Sequence, residues 1–123
     1  MRILVVDDSK AVHAFITSLF AETKHELKHV FNGREAVTTA REQPAGFDLI
    51  LMDWEMPKLC GVDALQEIRL LGVTTPVLMV TTKNEPESIG LALERGATDF
   101  VMKPFTKDIL FGKIAEVCGR EVS

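Results

Sequence analysis

Five short apolar runs alternate along the chain with segments of helical period, and this alternation constrains the fold more than any other feature. The runs are Arg2 to Val6, Glu26 to Phe31, Phe47 to Met52, Pro76 to Val80 and Thr98 to Met102. Each is too short for a helix. Between the first two, Val12, Phe15, Ile16, Leu19 and Phe20 recur at helical spacing, behind Ser9 or Asp8 as N-cap. Asn32 with Glu35 three residues on reads as a capping box opening a helix through about Arg41. Further helices are predicted over Gly61 to Leu71, ended by Gly72, and over Asn84 to Arg95, with Pro86 in its first turn and Gly96 past its end. The last covers Thr106 to Cys118, with Leu110, Ile114, Val117 and Cys118 as its apolar stripe. Strict strand–helix alternation predicts an α/β fold: a parallel sheet covered on both faces, with right-handed crossovers. Phe47 to Met52 is the most apolar run and is expected at the sheet centre. Glu26 to Phe31 alternates loosely and suits an edge.

Three details follow from the same periodicity. His13, on the first helix, is expected at the surface. His25 and His29 share only a strand face, so they are not expected to bind metal. Phe111 falls off the stripe of the last helix, and is expected to be exposed and to widen a partner surface with Phe100 and the helix starting near Glu85.

With 123 residues and no repeat or linker, the chain is expected to be one domain over 1–123. A formal net charge of −4 and the lack of a basic stripe argue against nucleic-acid binding. No apolar stretch is long enough to cross a bilayer, so no membrane insertion is expected. The N-terminus opens directly into a strand without a signal-peptide pattern. Cys60 and Cys118 have no motif spacing. A cytoplasmic, reducing setting is the expectation.

The ends of the runs carry the chemistry. Asp7-Asp8 follows the first, Asp53 the third, Thr81 the fourth and Lys103-Pro104 the fifth. Ligands of open α/β sheets bind beyond the carboxyl ends of the strands. Three carboxylates, a hydroxyl and an ammonium are therefore expected to converge on one pocket. Three uncompensated carboxylates repel one another. A hard divalent cation such as Mg²⁺, with oxygen ligands and retained waters, relieves this. The pocket then favours a phosphoryl group, whose transfer needs mainly positioning and charge neutralisation. Asp53 is the expected nucleophile, since a carboxylate can form an aspartyl phosphate.

These residues resemble a known family. Val5-Val6-Asp7-Asp8, Leu51-Met52-Asp53-Trp54-Glu55-Met56-Pro57 with Gly61, Val80-Thr81, Gly96-Ala97 and Lys103-Pro104-Phe105 are similar to the motifs of response-regulator receiver domains of the single-domain chemotaxis type. The resemblance covers essentially the whole chain. It implies a flavodoxin-like, doubly wound five-stranded parallel sheet of order 2-1-3-4-5 with five helices, an order for which a chemotaxis receiver is an established example. It implies that Asp53 accepts a phosphoryl group from a phosphohistidine on a sensor histidine kinase or phosphotransfer protein. Asp8, Asp53 and the backbone carbonyl of Glu55 would ligate Mg²⁺, with Asp7 reaching it through water. Lys103 would contact the phosphate, Thr81 would move to hydrogen-bond it, and Phe100 would be the switch aromatic. A cis Lys103-Pro104 bond is also implied. The message would leave by contact with a downstream protein, the flagellar motor or another effector. Catalysis would be limited to Mg²⁺-dependent self-phosphorylation and autodephosphorylation.

The chain departs from the commonest pattern in having Phe100 where chemotaxis receivers often carry Tyr, and Cys60 where an acidic or polar residue is usual. Glu55 and Lys83 stand two residues beyond Asp53 and Thr81, and are expected to pair across the pocket mouth. Rival readings are an aspartate-nucleophile phosphohydrolase and a flavin carrier. The first usually places its nucleophile in a DxD pattern after the first strand and needs more chain for a substrate cap. The second is disfavoured by the acidic, glycine-free loop Asp7-Asp8-Ser9-Lys10.

Overall fold

The computed structural model describes residues 1–122. The elements run β1 (Arg2–Val6), α1 (Lys10–Leu19), β2 (Glu26–Val30), α2 (Gly33–Glu42), β3 (Leu49–Asp53), α3 (Gly61–Leu70), β4 (Val77–Thr81), α4 (Pro86–Glu94), β5 (Asp99–Met102) and α5 (Lys107–Cys118). The strands form one parallel sheet in the order β2-β1-β3-β4-β5. This is the expected doubly wound, flavodoxin-like topology.

The continuous apolar runs split by the two-residue period of a strand into two buried layers. Leu4, Val6, Ile50, Met52, Val77 and Met79 face α2, α3 and α4, where Ala36, Val37, Ala64, Leu65, Ile68 and Ala92 close the core. Ile3, Val5, Leu49, Leu51, Leu78, Val80 and Val101 face the other way, against Ile16 of α1, Phe20 at its C-cap, and Leu110 and Ile114 of α5. β3, central in the sheet, keeps Leu49 through Met52 at 1% exposure or less. Fully burying a side chain of this kind contributes roughly 1.5–3 kcal/mol, so the two layers dominate the stability.

Caps set the helix ends. Ser9 accepts from the Val12 amide, Asn32 from Glu35 and Thr106 from Ile109. Of the two N-cap options for α1, Ser9 is the one used. Gly72 and Gly96 hold φ values of 84° and 112° just past α3 and α4, where only glycine is unstrained. At that same end Arg69 donates to the carbonyls of Val73, Thr75 and Gly96.

Two expectations are corrected. His13 is 5% exposed. Its Nε2 bonds the Asp7 carbonyl at 2.8 Å and its Nδ1 meets Nδ1 of His29 at 2.6 Å, so its polar atoms are satisfied inside the fold. Phe111 is half-buried. It packs on the second core layer, with its ring 5.0 Å from Phe20 and the Lys107 ammonium 5.3 Å from its centroid. It does not form an exposed surface with Phe100, because α5 packs against α1 as well as the sheet.

Candidate functional site

The parallel register carries Asp7, Asp8, Asp53, Glu55, Thr81 and Lys103 to one edge, whereas Phe100 lies within β5, paired with Met79. Asp53 is the last residue of β3, paired with Val80, and Thr81 is the last of β4, paired with Met102. Asp7 and Asp8 follow β1, and Lys103 follows β5 through a cis peptide bond to Pro104. One carboxylate oxygen each from Asp7, Asp8 and Asp53 lies within 4.8 Å of the others. Lys103 Nζ donates to Asp53 Oδ1 at 3.1 Å and to Asp7 Oδ2 at 3.2 Å. Asp7 is buried and also accepts from the Ser9 amide at 2.8 Å, whereas Asp8 is exposed.

The electrostatics are those of crowded acids sharing one cation. Burial pushes the Asp53 carboxyl above its ordinary range. The Asp7 charge pushes the same way, and Lys103 only partly opposes it. Burial would by itself lower the Lys103 pKa, but the bonds and charges of Asp53 and Asp7 outweigh it and raise the value. Lys103 is therefore a permanent ammonium at neutral pH. One ammonium against three carboxylates leaves the cluster with excess negative charge. A small hard cation with oxygen ligands fits that donor set, and Asp7, Asp8 and Asp53 are the groups positioned to hold it.

The cavity above these groups is open, about 630 Å³, and lined by Asp8, Asp53, Trp54, Glu55, Met56, Pro57, Thr81, Thr82 and Lys103. Thr82 was not among the expected site residues; its signal is the Thr81-Thr82 pair directly after an apolar run. The Thr81 hydroxyl accepts from the Lys83 amide at 2.9 Å, which leaves its own proton free to donate. Glu55 and Lys83 do pair, at 3.2 Å, and the Lys83 ammonium lies 5.7 Å from the Trp54 ring centroid. Trp54 and Glu55 line the cavity, and Lys83 contacts both from outside its lining. Phe100 is half-buried against the α2–α3–α4 core layer, with Lys113 Nζ 6.0 Å from its ring.

A second, apolar groove of about 390 Å³ opens beside the first. It is lined by Val12, Phe15, Thr82, Lys103, Pro104 and Phe105, so Thr82 and Lys103 border both.

A five-stranded parallel sheet with an acidic cluster and a lysine at its carboxyl edge defines a receiver-type fold. The response regulator receiver domain model matches residues 3–115, and the chain belongs to that family, a component of two-component systems. The two-component response regulator ORR41 of Oryza sativa subsp. japonica is 40% identical over 112 residues, covering 89% of this chain and 88% of that protein. Chemotaxis protein CheY4 of Vibrio cholerae superposes with a TM-score of 0.86 at 30% identity, over 94% of this chain and 97% of that one. The receiver domain of sensor histidine kinase PA1611 from Pseudomonas aeruginosa PAO1 gives a TM-score of 0.85 at 28% identity, over 96% and 97% of the two chains. That structure has a magnesium ion coordinated in its active site cleft. Other curated relatives are longer: the chain spans 50% of one and 17% of another. Among the described residues, no helix is long and apolar enough to cross a membrane.

Proposed function

We propose that this chain is a phosphorylation-dependent signalling switch that takes a phosphoryl group on Asp53 from a phosphohistidine of a sensor histidine kinase or phosphotransfer protein. The observation that carries this reading is the lone Lys103 ammonium bonded to both Asp53 and Asp7 in an open cavity. An Asp53 oxygen attacks phosphorus, the phosphorus–nitrogen bond breaks, and the imidazole leaves with the bonding pair. Lys103 neutralises charge on the transferred group. Bound Mg²⁺, held by Asp8, Asp53 and the Glu55 carbonyl with Asp7 behind them, would supply further neutralisation. The Thr81 hydroxyl, its proton uncommitted, donates to the new phosphoryl oxygen. Phe100 and the segment after Thr81 then favour a second arrangement, and an effector with higher affinity for it shifts the population. Phe100 has no hydroxyl, so it switches through burial and shape. The effector is a protein, the flagellar motor being one candidate, and the setting is the cytoplasm. The family match does not favour the phosphohydrolase.

Incubation with acetyl phosphate and Mg²⁺ tests the reading by intact mass. The expected result is one added phosphoryl group, and no added mass when the metal is chelated beforehand. A chain that never gains that mass overturns it.

Two consequences are local. Lys83→Ala frees Glu55 and Trp54 at the cavity wall and should speed autodephosphorylation several-fold, read as decay of the phosphorylated mass; an unchanged decay would dismiss a role for the pair. Phe15 is 44% exposed in the apolar groove beside Lys103. Phe15→Ala should slow transfer from a protein donor roughly tenfold, as for loss of an apolar contact anchor, and leave phosphorylation by acetyl phosphate unaltered. Equal slowing with both donors would refute a docking role.

A further inference from the structure

The loop from Trp54 to Cys60 is held from both sides by glycines, and one of them lies far away in sequence. Gly61, the first residue of α3, donates its amide to the Trp54 carbonyl at 2.6 Å. A β-carbon on Gly61 would meet the Asp53 carbonyl oxygen at 1.9 Å. Gly33, the first residue of α2, is buried, and a β-carbon there would meet the Leu59 carbonyl oxygen at 2.1 Å and its carbon at 2.9 Å. Both obstacles are backbone and cannot swing aside. Gly33 has no left-handed φ, so space alone demands glycine there.

What Gly33 presses on is strained. Lys58 holds φ 68°, and the Leu59 amide donates to the Pro57 carbonyl at 2.7 Å. A bond from i+2 to i around a positive φ is the rare form of γ-turn, and a non-glycine residue adopts it only when its surroundings impose it. The opposing surface is firm. Asn32 accepts from the Glu35 amide, and the Glu35 carboxylate accepts from the Phe31 amide and the Asn32 side chain, fixing the first turn of α2.

We propose that Gly33 is a positioning residue for the phosphoryl site: its bare α-carbon lets α2 seat the Leu59 carbonyl, which holds the strained turn at Lys58 and so sets the loop that carries Glu55. This rests on the reading of Asp53 as phosphoacceptor and of the Glu55 carbonyl as a metal ligand. Gly33 touches neither metal nor phosphate and acts only through the loop. The groups that orient metal ligands from behind commonly change affinity by ten- to a hundredfold when altered.

The test is Mg²⁺ affinity, followed by Trp54 fluorescence, in wild type and Gly33→Ala, with Gly112→Ala as the control, since a β-carbon at Gly112 meets nothing within 4 Å. Gly33→Ala should bind Mg²⁺ about tenfold more weakly, and saturating Mg²⁺ should restore most of its phosphorylation rate by acetyl phosphate. Lys58→Gly, which adopts the turn without strain, should recover part of the affinity when combined with Gly33→Ala. A folded Gly33→Ala with wild-type Mg²⁺ affinity overturns the proposal and leaves the function of Asp53 standing. A wild-type chain that binds no Mg²⁺ overturns both. If Gly33→Ala does not fold, amide hydrogen exchange on the wild type decides. Mg²⁺ should slow exchange at Leu59 and in the first turn of α2 together, and protection confined to the Asp53 side of the loop overturns the coupling.

Discussion

Asp53→Asn should gain no phosphoryl group from acetyl phosphate under conditions where the wild type is modified, and in the metal-free state it should unfold at a higher temperature than the wild type. The first effect follows from losing the nucleophilic oxygen with almost no change of shape. The second follows from the sign of the Asp53 shift. Burial, and then the Asp7 charge, raise its pKa in the folded chain. A carboxyl raised in this way contributes stability that is fully present below its unfolded value and is lost as pH rises through the folded value. At neutral pH the ionised Asp53 is therefore a net burden on the metal-free fold, which the neutral amide removes. Melting curves of both proteins across pH should differ by a few degrees near neutrality and converge in acid. Added Mg²⁺ should narrow the gap or reverse it, because the wild type binds the ion more tightly. Identical melting temperatures at neutral pH without metal would contradict the cost assigned to burying the Asp53 charge beside Asp7.

Lys103→Met should do the opposite. The ammonium is bonded to two of the three clustered acids, and its side chain is 22% exposed. Removing one partner of a buried pair costs about 3–5 kcal/mol. The open cavity gives the orphaned carboxylates some water, so a loss of about 2 kcal/mol is expected. Chemical denaturation measures it. Phosphorylation by acetyl phosphate should slow on the order of a hundredfold, the usual cost of deleting one charge-stabilising donor. Millimolar Mg²⁺ should recover stability but not rate, because the ion relieves the repulsion without standing where Lys103 contacts the transferred group. Wild-type stability in the variant would show that the ion pairs are too solvated to matter.

The sequence made the sheet legible because each apolar run is bounded by turn residues and followed by a helical period. It made the site legible because a parallel sheet carries all its strand ends to one edge. β3 and β4 each start later than expected, at Leu49 and Val77, and end one residue later, on Asp53 and Thr81. These polar residues still pair in the ladder, which a reading by hydrophobicity cannot register. α4 starts at Pro86 rather than Asn84, since Thr82 to Glu85 are spent turning out of the sheet. His13 was misread because its partners, the Asp7 carbonyl and His29, are brought to it only by tertiary packing. Phe111 was misread because one helix face can be shared between sheet and neighbouring helix. The close approach of Gly33 to Leu59 joins the first residue of α2 to the loop after β3, and no local pattern encodes it.

Arg69 gives α4 two unequal ends. Its guanidinium fastens the Gly96 carbonyl to those of Val73 and Thr75, and Arg95 is tied to Asp63 of α3 at 3.0 Å. The opposite end of the helix starts at Pro86, after a residue that makes no side-chain cap. Side-chain bonds therefore fasten the Gly96 end of α4 to α3 and to the segment before β4, while its Pro86 end has backbone bonds from Ser88 and Ile89 to the Glu85 carbonyl and no side-chain cap. Under the proposed switch, a pull at the Pro86 end would turn the helix about the fastened one.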